Sequence, residues 1–315
     1  MRELELLQLI YDANARLPDL VVIPPGDDMA GLSIGGSVLL LTVDQLADGV
    51  HVQLDQTPVE KVGRKAVARS LSDIAAMAAR PVAAIVTACL SRNLEQDQAK
   101  QLFEAMRSTA EDFGCALVGG DIAMWDAPLL LTVTIVGEPD GVDPVLRCGA
   151  KVGDAVFVTG RLGGSLESID GGAHHLDFEP RIELARQLAT REQTRPHCMI
   201  DLSDGLARDL SHLCAASKVS ARLDAGRLPI SIAAEYGAQR DHQPPWAHAI
   251  GDGEDYELLF SIAAERVDSM PSEIEGVPIT RIGTIEPLGI GPPAVLCFPD
   301  GSTVDMKDFG WEHKR

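Results

Sequence analysis

Carboxylates recur at the ends of apolar segments throughout this 315-residue chain, in five short acidic motifs. If folding brings these motifs together, their negative charges repel one another unless cations lie between them. A ligand set that contains only oxygen favours magnesium over zinc. The pattern therefore predicts a site that holds several magnesium ions and handles phosphates. The motifs are Gly26-Asp27-Asp28, Thr42-Val43-Asp44, Leu71-Ser72-Asp73, Gly119-Gly120-Asp121 and Asp201-Leu202-Ser203-Asp204.

Each acidic motif, taken alone, also has an ordinary structural explanation. Asp27 and Asp28 follow two prolines and a glycine, a setting that is typical of turns. Asp44 ends an apolar run, where an exposed carboxylate is common. Asp201 and Asp204 could cap a helix, because serine and aspartate are favoured at helix starts. Only the recurrence of the motifs favours one shared site over these separate explanations.

Asp73 is the hardest of these carboxylates to explain as a surface group. Its surroundings, residues 71–79, are small and apolar and should pack closely. A carboxylate in such a place needs a partner, because burying an unpaired charge is costly. An ion pair with Arg64, Lys65 or Arg69 is the alternative to a metal ion.

The composition limits the class of protein. Acidic residues number 47 against 27 basic ones, a formal charge of −20, which argues against general binding to nucleic acid or to anionic membranes. The first residues lack the layout of a signal peptide and no apolar run reaches membrane-spanning length, so we expect a cytoplasmic protein. The cysteines show no C-x-x-C spacing, which favours reduced thiols over a zinc site or a disulfide framework. They are Cys89, Cys115, Cys148, Cys198, Cys214 and Cys297.

Hydrophobic periodicity predicts the elements that must position the carboxylates of the first half. Asp44 ends a predicted buried strand, and Asp73 lies on a predicted helix. The motif that contains Asp121 is expected in a loop that opens before a later strand. The predicted strands cover residues 37–43, 82–89 and 129–136, and the predicted helices cover residues 59–79 and 96–112, after an amphipathic helix with Leu6, Ile10, Ala13 and Leu17 on one face.

A segment rich in glycine, proline and aspartate, residues 138–153, predicts a domain boundary. We therefore expect an N-terminal domain over residues 1–140 and a C-terminal domain over residues 141–315. Strands and helices interleave without regular βαβ units, so the expected class is α+β.

Three further strands are predicted beyond this boundary, over residues 155–159, 256–262 and 279–285. The first leads into the glycine-rich residues 160–165, which are expected to enter a helix but match neither a phosphate-binding loop nor a dinucleotide fingerprint. Ser203 is the predicted N-cap of another helix.

Six motifs in register along almost the whole chain resemble the thiamine-monophosphate kinase family. This family belongs to a wider group that includes aminoimidazole-ribonucleotide synthetase and selenophosphate synthetase. The motifs are GDD ending at Asp28, TVDxLxxGVH ending at His51, LSDIAAM around Asp73, GGD ending at Asp121, IDLSDGLxxDL around Asp201 and GEDYELLF from Gly253.

The resemblance implies two α+β domains with an aminoimidazole-ribonucleotide-synthetase-like fold, and a homodimer whose N-terminal sheet forms the interface. It implies nucleotide bound near that interface. Magnesium ligands would be Asp27, Thr42, Asp44, Asp73, Asp121, Asp201 and Asp204. Contacts to ATP would come from Gly120, Asp121, Arg147 and Ser203, and contacts to thiamine monophosphate from His51, Glu254 and Trp311.

The activity implied is the ATP-dependent phosphorylation of thiamine monophosphate to thiamine diphosphate, by in-line transfer at a site with several magnesium ions. The chain departs from the family pattern after Asp121, where Ile122 and Ala123 stand in place of two threonines, and before the LSD motif, where Ser70 stands in place of asparagine. These departures leave two alternatives: another ATP-dependent enzyme of the wider group, resembling aminoimidazole-ribonucleotide synthetase, or a nucleotide-binding protein without catalysis.

Overall fold

The computed structural model describes residues 6, 9–11, 16–169 and 171–311. Most of the predicted N-terminal helix, including Ala13, lies outside the described residues, as do Glu312 and His313 at the other end. In the part of the chain that is described, no helix has the length and apolar character needed to cross a membrane.

The first half of the chain forms a six-stranded sheet in the order β1-β2-β3-β6-β4-β5. β4 and β5 run parallel, and the other neighbouring strands run antiparallel. The three strands predicted here are confirmed with changed bounds: the first is longer at its C-terminal end, the second is longer at both ends, and the third begins one residue later and ends two residues later. The bounds are β1 Val21–Ile23, β2 Ala30–Ile34, β3 Ser37–Ala47, β4 Arg80–Ser91, β5 Ala116–Trp125 and β6 Leu130–Glu138.

Two helices, α1 (Val59–Ala76) and α2 (Gln96–Asp112), accompany this sheet and confirm the two predicted helices. They approach each other closely at Gly63, where an added Cβ atom would lie 2.5 Å from the backbone oxygen of Leu102. A side chain at this position would therefore push the two helices apart.

The second half contains an eight-stranded sheet in the order β10-β12-β7-β14-β11-β15-β16, with β13 paired to β14. The predicted strand over residues 155–159 is confirmed without change, and the other two are confirmed with shifted ends. The strands are β7 Ala155–Thr159, β10 Cys198–Asp201, β11 Val219–Asp224, β12 Leu258–Ile262, β13 Glu273–Ile274, β14 Val277–Pro287, β15 Ala294–Cys297 and β16 Thr303–Asp305, beside a separate hairpin of β8 Ser168–Ile169 and β9 Gly172–Ala173.

Five α-helices lie in the described part of this half. They are α3 His174–Asp177, α4 Ile182–Thr190, α5 Leu206–Ser217, α6 Ile232–Asp241 and α7 Pro245–Gly251. The helix expected directly after the glycine-rich residues 160–165 is wrong, because the chain there enters the hairpin β8–β9 before the short α3. Ser203 is not the N-cap of α5 either, since Gly205 occupies that position with φ +100°.

One apolar core joins the two sheets. Leu71 of α1 and Leu131 of β6 belong to the same buried cluster as Phe157 of β7 and Phe260 of β12. The rings of Phe157 and Phe260 stack with their centroids 5.6 Å apart. Helix α1 is thus packed between the sheets, so its polar residues can reach groups from both halves. The boundary near residue 140 stays a prediction.

Candidate active site

A cleft between the two halves collects most of the acidic motifs. It encloses about 680 Å³ of empty space, including its open mouth. Both halves of the chain contribute to its walls. The lining residues are Asp44, Val50, His51, Arg69, Asp73, Leu166, Asp201, Ser203, Asp204, Asp252, Glu254, Tyr256 and Trp311.

Three carboxylates form an acidic cluster, Asp28, Asp73 and Asp201, of which Asp73 and Asp201 line the cleft. One oxygen of each lies within 4.8 Å of an oxygen of the other two. Asp28 precedes β2, Asp73 lies on α1 and Asp201 ends β10, so residues from three separate elements meet. Convergence of the motifs is thereby established for these three positions.

Burial makes the charged form of the acidic cluster costly. It raises the pKa of Asp201 to about 7, with a further contribution from the negative charge of Asp28. Burial likewise raises the pKa of Asp73 well above its ordinary value, and the charges of Asp44 and Asp201 add to the shift. These carboxylates need a positive charge that the surrounding protein supplies only in part.

Hydrogen bonds fix the orientation of the acidic cluster. The hydroxyl of Thr42 donates to Asp73, and the hydroxyl of Ser72 donates to Asp201 over 2.6 Å. Arg147 donates to Oδ1 of Asp28 through Nη2 over 2.5 Å and through Nε over 3.1 Å. The second oxygen of Asp28, Oδ2, is buried and has no hydrogen-bond partner among the described residues.

The donor set of the acidic cluster fits magnesium. Only oxygen atoms converge, the cluster carries three carboxylates, and Oδ2 of Asp28 has lone pairs that nothing in the described protein satisfies. Hard divalent cations prefer such ligands. Asp27, in contrast, accepts the backbone N–H of Arg147 over 3.2 Å, and Asp28 takes the place in the cluster that sequence reasoning gave to Asp27.

Lys65 carries a second group of buried charges next to the cleft. Its side chain is 0% exposed, and Nζ lies 2.7 Å from each of three atoms: the backbone oxygen of His51, Nδ1 of His175 and Oε2 of Glu254. Burial acts to raise the pKa of Glu254, but hydrogen bonding from His175 and the charge of Lys65 outweigh it and lower the pKa to about 2. The Glu254 carboxylate is therefore ionised.

The loop that carries Glu254 is held against the residues that follow Asp201. The backbone N–H of Glu254 donates to Ser203, and that of Tyr256 donates to Leu202, each over 2.8 Å. Both Glu254 and Tyr256 adopt positive φ, +55° and +50°. The ring of Tyr256 stacks on Phe178 at 3.9 Å between centroids. This strained loop thus places a fixed carboxylate in the wall of the cleft.

Two aromatic side chains stand together at another part of the cleft wall. The rings of His51 and Trp311 lie 6.4 Å apart, tilted by 43°. The backbone N–H of Ala47 donates to Nδ1 of His51 over 3.0 Å, and that of Trp311 donates to the backbone oxygen of Asp204 over 2.9 Å. Trp311, the last described residue, therefore lies in the wall of the cleft.

The structure does not bring Gly120 and Asp121 into the cleft. Both lie on β5, at the edge of the first sheet and exposed, rather than in the predicted loop. A Cβ atom at Gly120 would lie 1.8 Å from the backbone oxygen of Val86 on β4, so strand pairing by itself requires glycine here. The structure brings together Thr42, Asp44, Asp73, Asp201, Asp204, Ser203, His51, Glu254 and Trp311 in or beside the cleft.

Sequence reasoning missed three residues of the site. Asp28 belongs to one of the five acidic motifs, but no local signal shows whether the side chain of Asp27 or that of Asp28 faces the cluster. Lys65 is a lysine on the apolar face of α1, beside Val62 and Ala66, which is a signal for a buried charge. The sequence suggests Lys65 and Arg69 as ion-pair partners of Asp73, whereas Lys65 pairs with Glu254, and Nη2 of Arg69 lies 3.8 Å from Oδ1 of Asp44.

Comparisons with known proteins agree with this architecture. The N-terminal domain of AIR synthase related proteins matches residues 26–138, and the C-terminal domain of the same family matches residues 151–289. The thiamine-monophosphate kinase of Rhodopirellula baltica is 38% identical over 291 residues, which cover 90% of this chain and 89% of the relative.

Solved structures give the same family. AaThiL complexed with AMPPCP and TMP superimposes with a TM-score of 0.82 at 28% identity, covering 99% of this chain and 97% of the other. The thiamine-monophosphate kinase of Stenotrophomonas maltophilia superimposes with a TM-score of 0.73 at 30% identity, covering 95% and 96%. The chain therefore belongs to the AIR synthase related proteins and, within them, to the thiamine-monophosphate kinase family.

Proposed function

We propose that this protein transfers the γ-phosphoryl group of ATP to the phosphate of thiamine monophosphate, yielding thiamine diphosphate and ADP. The observation that carries the proposal is a cleft lined by Asp73 and Asp201 of the acidic cluster, with the ionised Glu254, His51 and Trp311 elsewhere in its walls. The relatives named above support the same reaction.

The acidic cluster would hold magnesium, with Asp28, Asp73 and Asp201 as its central ligands and Thr42, Asp44 and Asp204 nearby. When bound, magnesium supplies positive charge that neutralises phosphate oxygens and aligns donor with acceptor. Thr42 and Ser72 orient two of the carboxylates, and Arg147 holds Asp28. Asp27 stays in the proposed set through its position next to Asp28.

No side chain is needed as a strong general base. The acceptor phosphate is already ionised at neutral pH, so its oxygen can attack without losing a proton to the protein. The aspartates therefore bind and orient rather than move protons. The main work of the cleft is to hold two anions in line, which is a large part of the catalysis of phosphoryl transfer.

The walls beyond the acidic cluster fit the rest of thiamine monophosphate. Its thiazolium ring is a cation, which the ionised Glu254 attracts and which an aromatic face such as that of Trp311 can cover. His51 lies beside Trp311 and is anchored by the backbone N–H of Ala47. Together these groups favour a flat, positively charged ligand.

Gly120 and Asp121 would enter a nucleotide site only in an assembly, which we propose is a homodimer formed through the first sheet. β5 exposes Val118, Ile122 and Met124 along an open edge, each about half or more exposed. An open apolar edge of this kind is suited to pairing with a second copy. Sedimentation of the purified protein tests this assembly, and Ile122→Lys should dissociate it.

The test of the function is an assay with purified protein, ATP, magnesium and thiamine monophosphate. The expected result is formation of thiamine diphosphate and ADP in equal amounts, abolished by chelation of magnesium. Release of ADP only with a different acceptor would favour another reaction of the wider group. Tight ATP binding without turnover of any acceptor would favour a protein that has lost catalysis. The activity would take place in the cytoplasm, where ATP and magnesium are available.

A further inference from the structure

Arg69 is the one lysine or arginine among the cleft-lining residues in the described chain. The same lining includes six carboxylates, from Asp44, Asp73, Asp201, Asp204, Asp252 and Glu254. The guanidinium of arginine remains charged at all physiological pH values. A single fixed positive charge therefore faces a strongly negative cleft into which an anionic substrate must enter.

The hydrogen bonds of Arg69 leave donor capacity that points to a ligand. Nη1 donates to the backbone oxygen of Gln45 over 2.9 Å. Nη2 lies 3.8 Å from Oδ1 of Asp44, an ion-pair contact that is too long for a hydrogen bond. Nε is buried and has no hydrogen-bond partner among the described residues. Arg69 lines the cleft and its side chain is 13% exposed, so a phosphate oxygen in the cleft would accept a charge-assisted bond from Nη2 rather than from the buried Nε.

The position of Arg69 selects which phosphate this would be. Arg69 lies one helical turn before Asp73 on α1 and lines the same cleft as Asp44, Asp73 and Glu254. Burial acts to lower the pKa of Arg69, but the charges of Asp44, Glu254 and Asp73 oppose it and keep the guanidinium charged. Arg69 is thus within electrostatic reach of both the acidic cluster and the carboxylate proposed to attract the thiazolium ring.

We propose that Arg69 binds the phosphate of the acceptor and makes the cleft selective for a phosphorylated acceptor. An acceptor whose cationic ring lies at Glu254 and whose reacting oxygen faces the acidic cluster would bring its phosphate near Arg69, which lines the same cleft. This inference rests on the proposed function, because it names the group that recognises the acceptor of that same reaction. Arg69 orients the attacking phosphate oxygen and takes no proton from it.

A purely structural role of Arg69 as counter-ion to Asp44 makes a different prediction. Loss of such a counter-ion would disturb the acidic cluster, and the donor nucleotide would be affected with the acceptor. Loss of a phosphate ligand affects the acceptor alone. The two roles therefore separate in the KM values of the two substrates and in the affinity for thiamine, which lacks the phosphate.

The experiment compares wild type with Arg69→Met and Arg69→Lys in steady-state kinetics and in equilibrium binding of thiamine monophosphate and thiamine, with magnesium and AMPPCP present. For Arg69→Met we expect the KM and the dissociation constant of thiamine monophosphate to rise about tenfold to a hundredfold, the range of a lost charge-assisted bond. The KM of ATP and the affinity for thiamine should change less than about threefold, the size of a minor perturbation. Arg69→Lys should recover part of the loss, because it keeps the charge without the planar fork.

Arg107→Met serves as the matched control, since the partners of Arg107 among the described residues are Glu104 and Glu111 on the exposed side of α2. It should leave all four constants unchanged. Thermal unfolding confirms that each variant is folded, and Arg69→Lys carries the test alone if Arg69→Met does not fold. An equal loss of affinity for thiamine monophosphate and for thiamine would overturn the inference. So would a rise in the KM of ATP as large as the rise in the KM of the acceptor. Absence of thiamine diphosphate formation by wild type would instead overturn the proposed function.

Discussion

The acidic cluster and the buried group of Lys65, His175 and Glu254 have opposite effects on the pKa of their carboxylates. Asp28, Asp73 and Asp201 gather negative charge that burial makes unfavourable, so the pKa of Asp201 rises to about 7. Glu254 is also largely buried, but Lys65 and His175 lower its pKa to about 2. One region requires a cation from solution, whereas the other contains its own. The difference separates a cluster that is suited to a metal ion from a wall whose carboxylate stays ionised because its counter-charge is built in.

The largest effect is expected from Asp73→Asn, which removes one carboxylate from the acidic cluster. Turnover at saturating magnesium should fall about a hundredfold or more, since metal-ion stabilisation of transferred phosphate is worth several kcal/mol. The same variant should unfold at a higher temperature than wild type without magnesium, because one unfavourable buried charge is gone. Steady-state assays and thermal unfolding measure the two effects.

Unchanged turnover of Asp73→Asn would show that the acidic cluster does not hold the catalytic metal. A lower unfolding temperature without magnesium would show that its carboxylates are balanced within the protein. Either result would remove the contrast between the two regions.

The next effect is expected from Lys65→Met, which leaves Glu254 without its main counter-charge. Removing one partner of a buried pair costs about 3–5 kcal/mol in the free energy of unfolding. Lys61→Met is the matched control on the same helix. Lys61 pairs with Asp177 where both side chains are 40% exposed or more, so its loss should cost less than about 1 kcal/mol.

Denaturant titrations of both lysine variants provide the measurement. The double variant Lys65→Met with Glu254→Gln should recover part of the stability, because no unpaired carboxylate remains. If Lys65→Met and the double variant are equally stable, charge pairing does not explain the loss of stability. Packing of the lysine methylene groups would then explain it.

Asp255 is a third kind of buried carboxylate, and we expect its substitution to have a smaller effect on the free energy of unfolding. Its Oδ1 accepts the hydroxyl of Ser165 and the N–H of Gly163, while Oδ2 is buried without a hydrogen-bond partner in the described structure. Burial, partly opposed by these bonds, raises the pKa of Asp255 to about 8. The folded state therefore holds the proton more tightly than the unfolded state, whose value is near 3.8.

The sign of the pH dependence follows from this raised pKa. The contribution of Asp255 to stability is fully present below the unfolded value and is lost as pH rises towards 8. Between pH 5 and 7 the loss is about 1 kcal/mol for each pH unit. Asp255→Asn should remove this slope, so the difference in unfolding free energy between wild type and variant should change with pH. A difference that is flat from pH 5 to 7 would refute the assignment.

The smallest effect is expected from Trp311→Ala. Covering a cation with an aromatic face contributes about 0.5–2 kcal/mol, so the KM of thiamine monophosphate should rise about threefold to thirtyfold. The KM of ATP should not change, because Trp311 lies beside His51 rather than at the acidic cluster. A rise confined to the KM of ATP would show that Trp311 contacts the nucleotide rather than thiamine monophosphate.

Much of the fold could be predicted because its signals are local. The apolar run that becomes β3 and the spacing that becomes α1 are visible in the sequence. Asp44 and Asp73 lie within these elements, each three residues before the end, because β3 continues to Ala47 and α1 to Ala76. Gly120 was misplaced for a non-local reason. β5 is recognisable only through its pairing with β4, which demands glycine opposite Val86.

The site was predictable in composition but not in detail. Adjacent residues such as Asp27 and Asp28 point in different directions, and only the arrival of Arg147 from 119 positions along the chain decides which one faces the cluster. Lys65 meets Glu254 across 189 positions, a pairing that no spacing rule reports. Long-range contacts of this kind decide which of several carboxylates converge.

The most direct test of the central claim is a crystal structure with manganese in place of magnesium, AMPPCP and thiamine monophosphate. Anomalous scattering should locate at least one ion bound by oxygens of Asp28, Asp73 and Asp201, with the phosphate of thiamine monophosphate and the terminal phosphate of AMPPCP meeting beside it. Metal bound elsewhere, with these three carboxylates free of any ion while both ligands are present, would contradict the account.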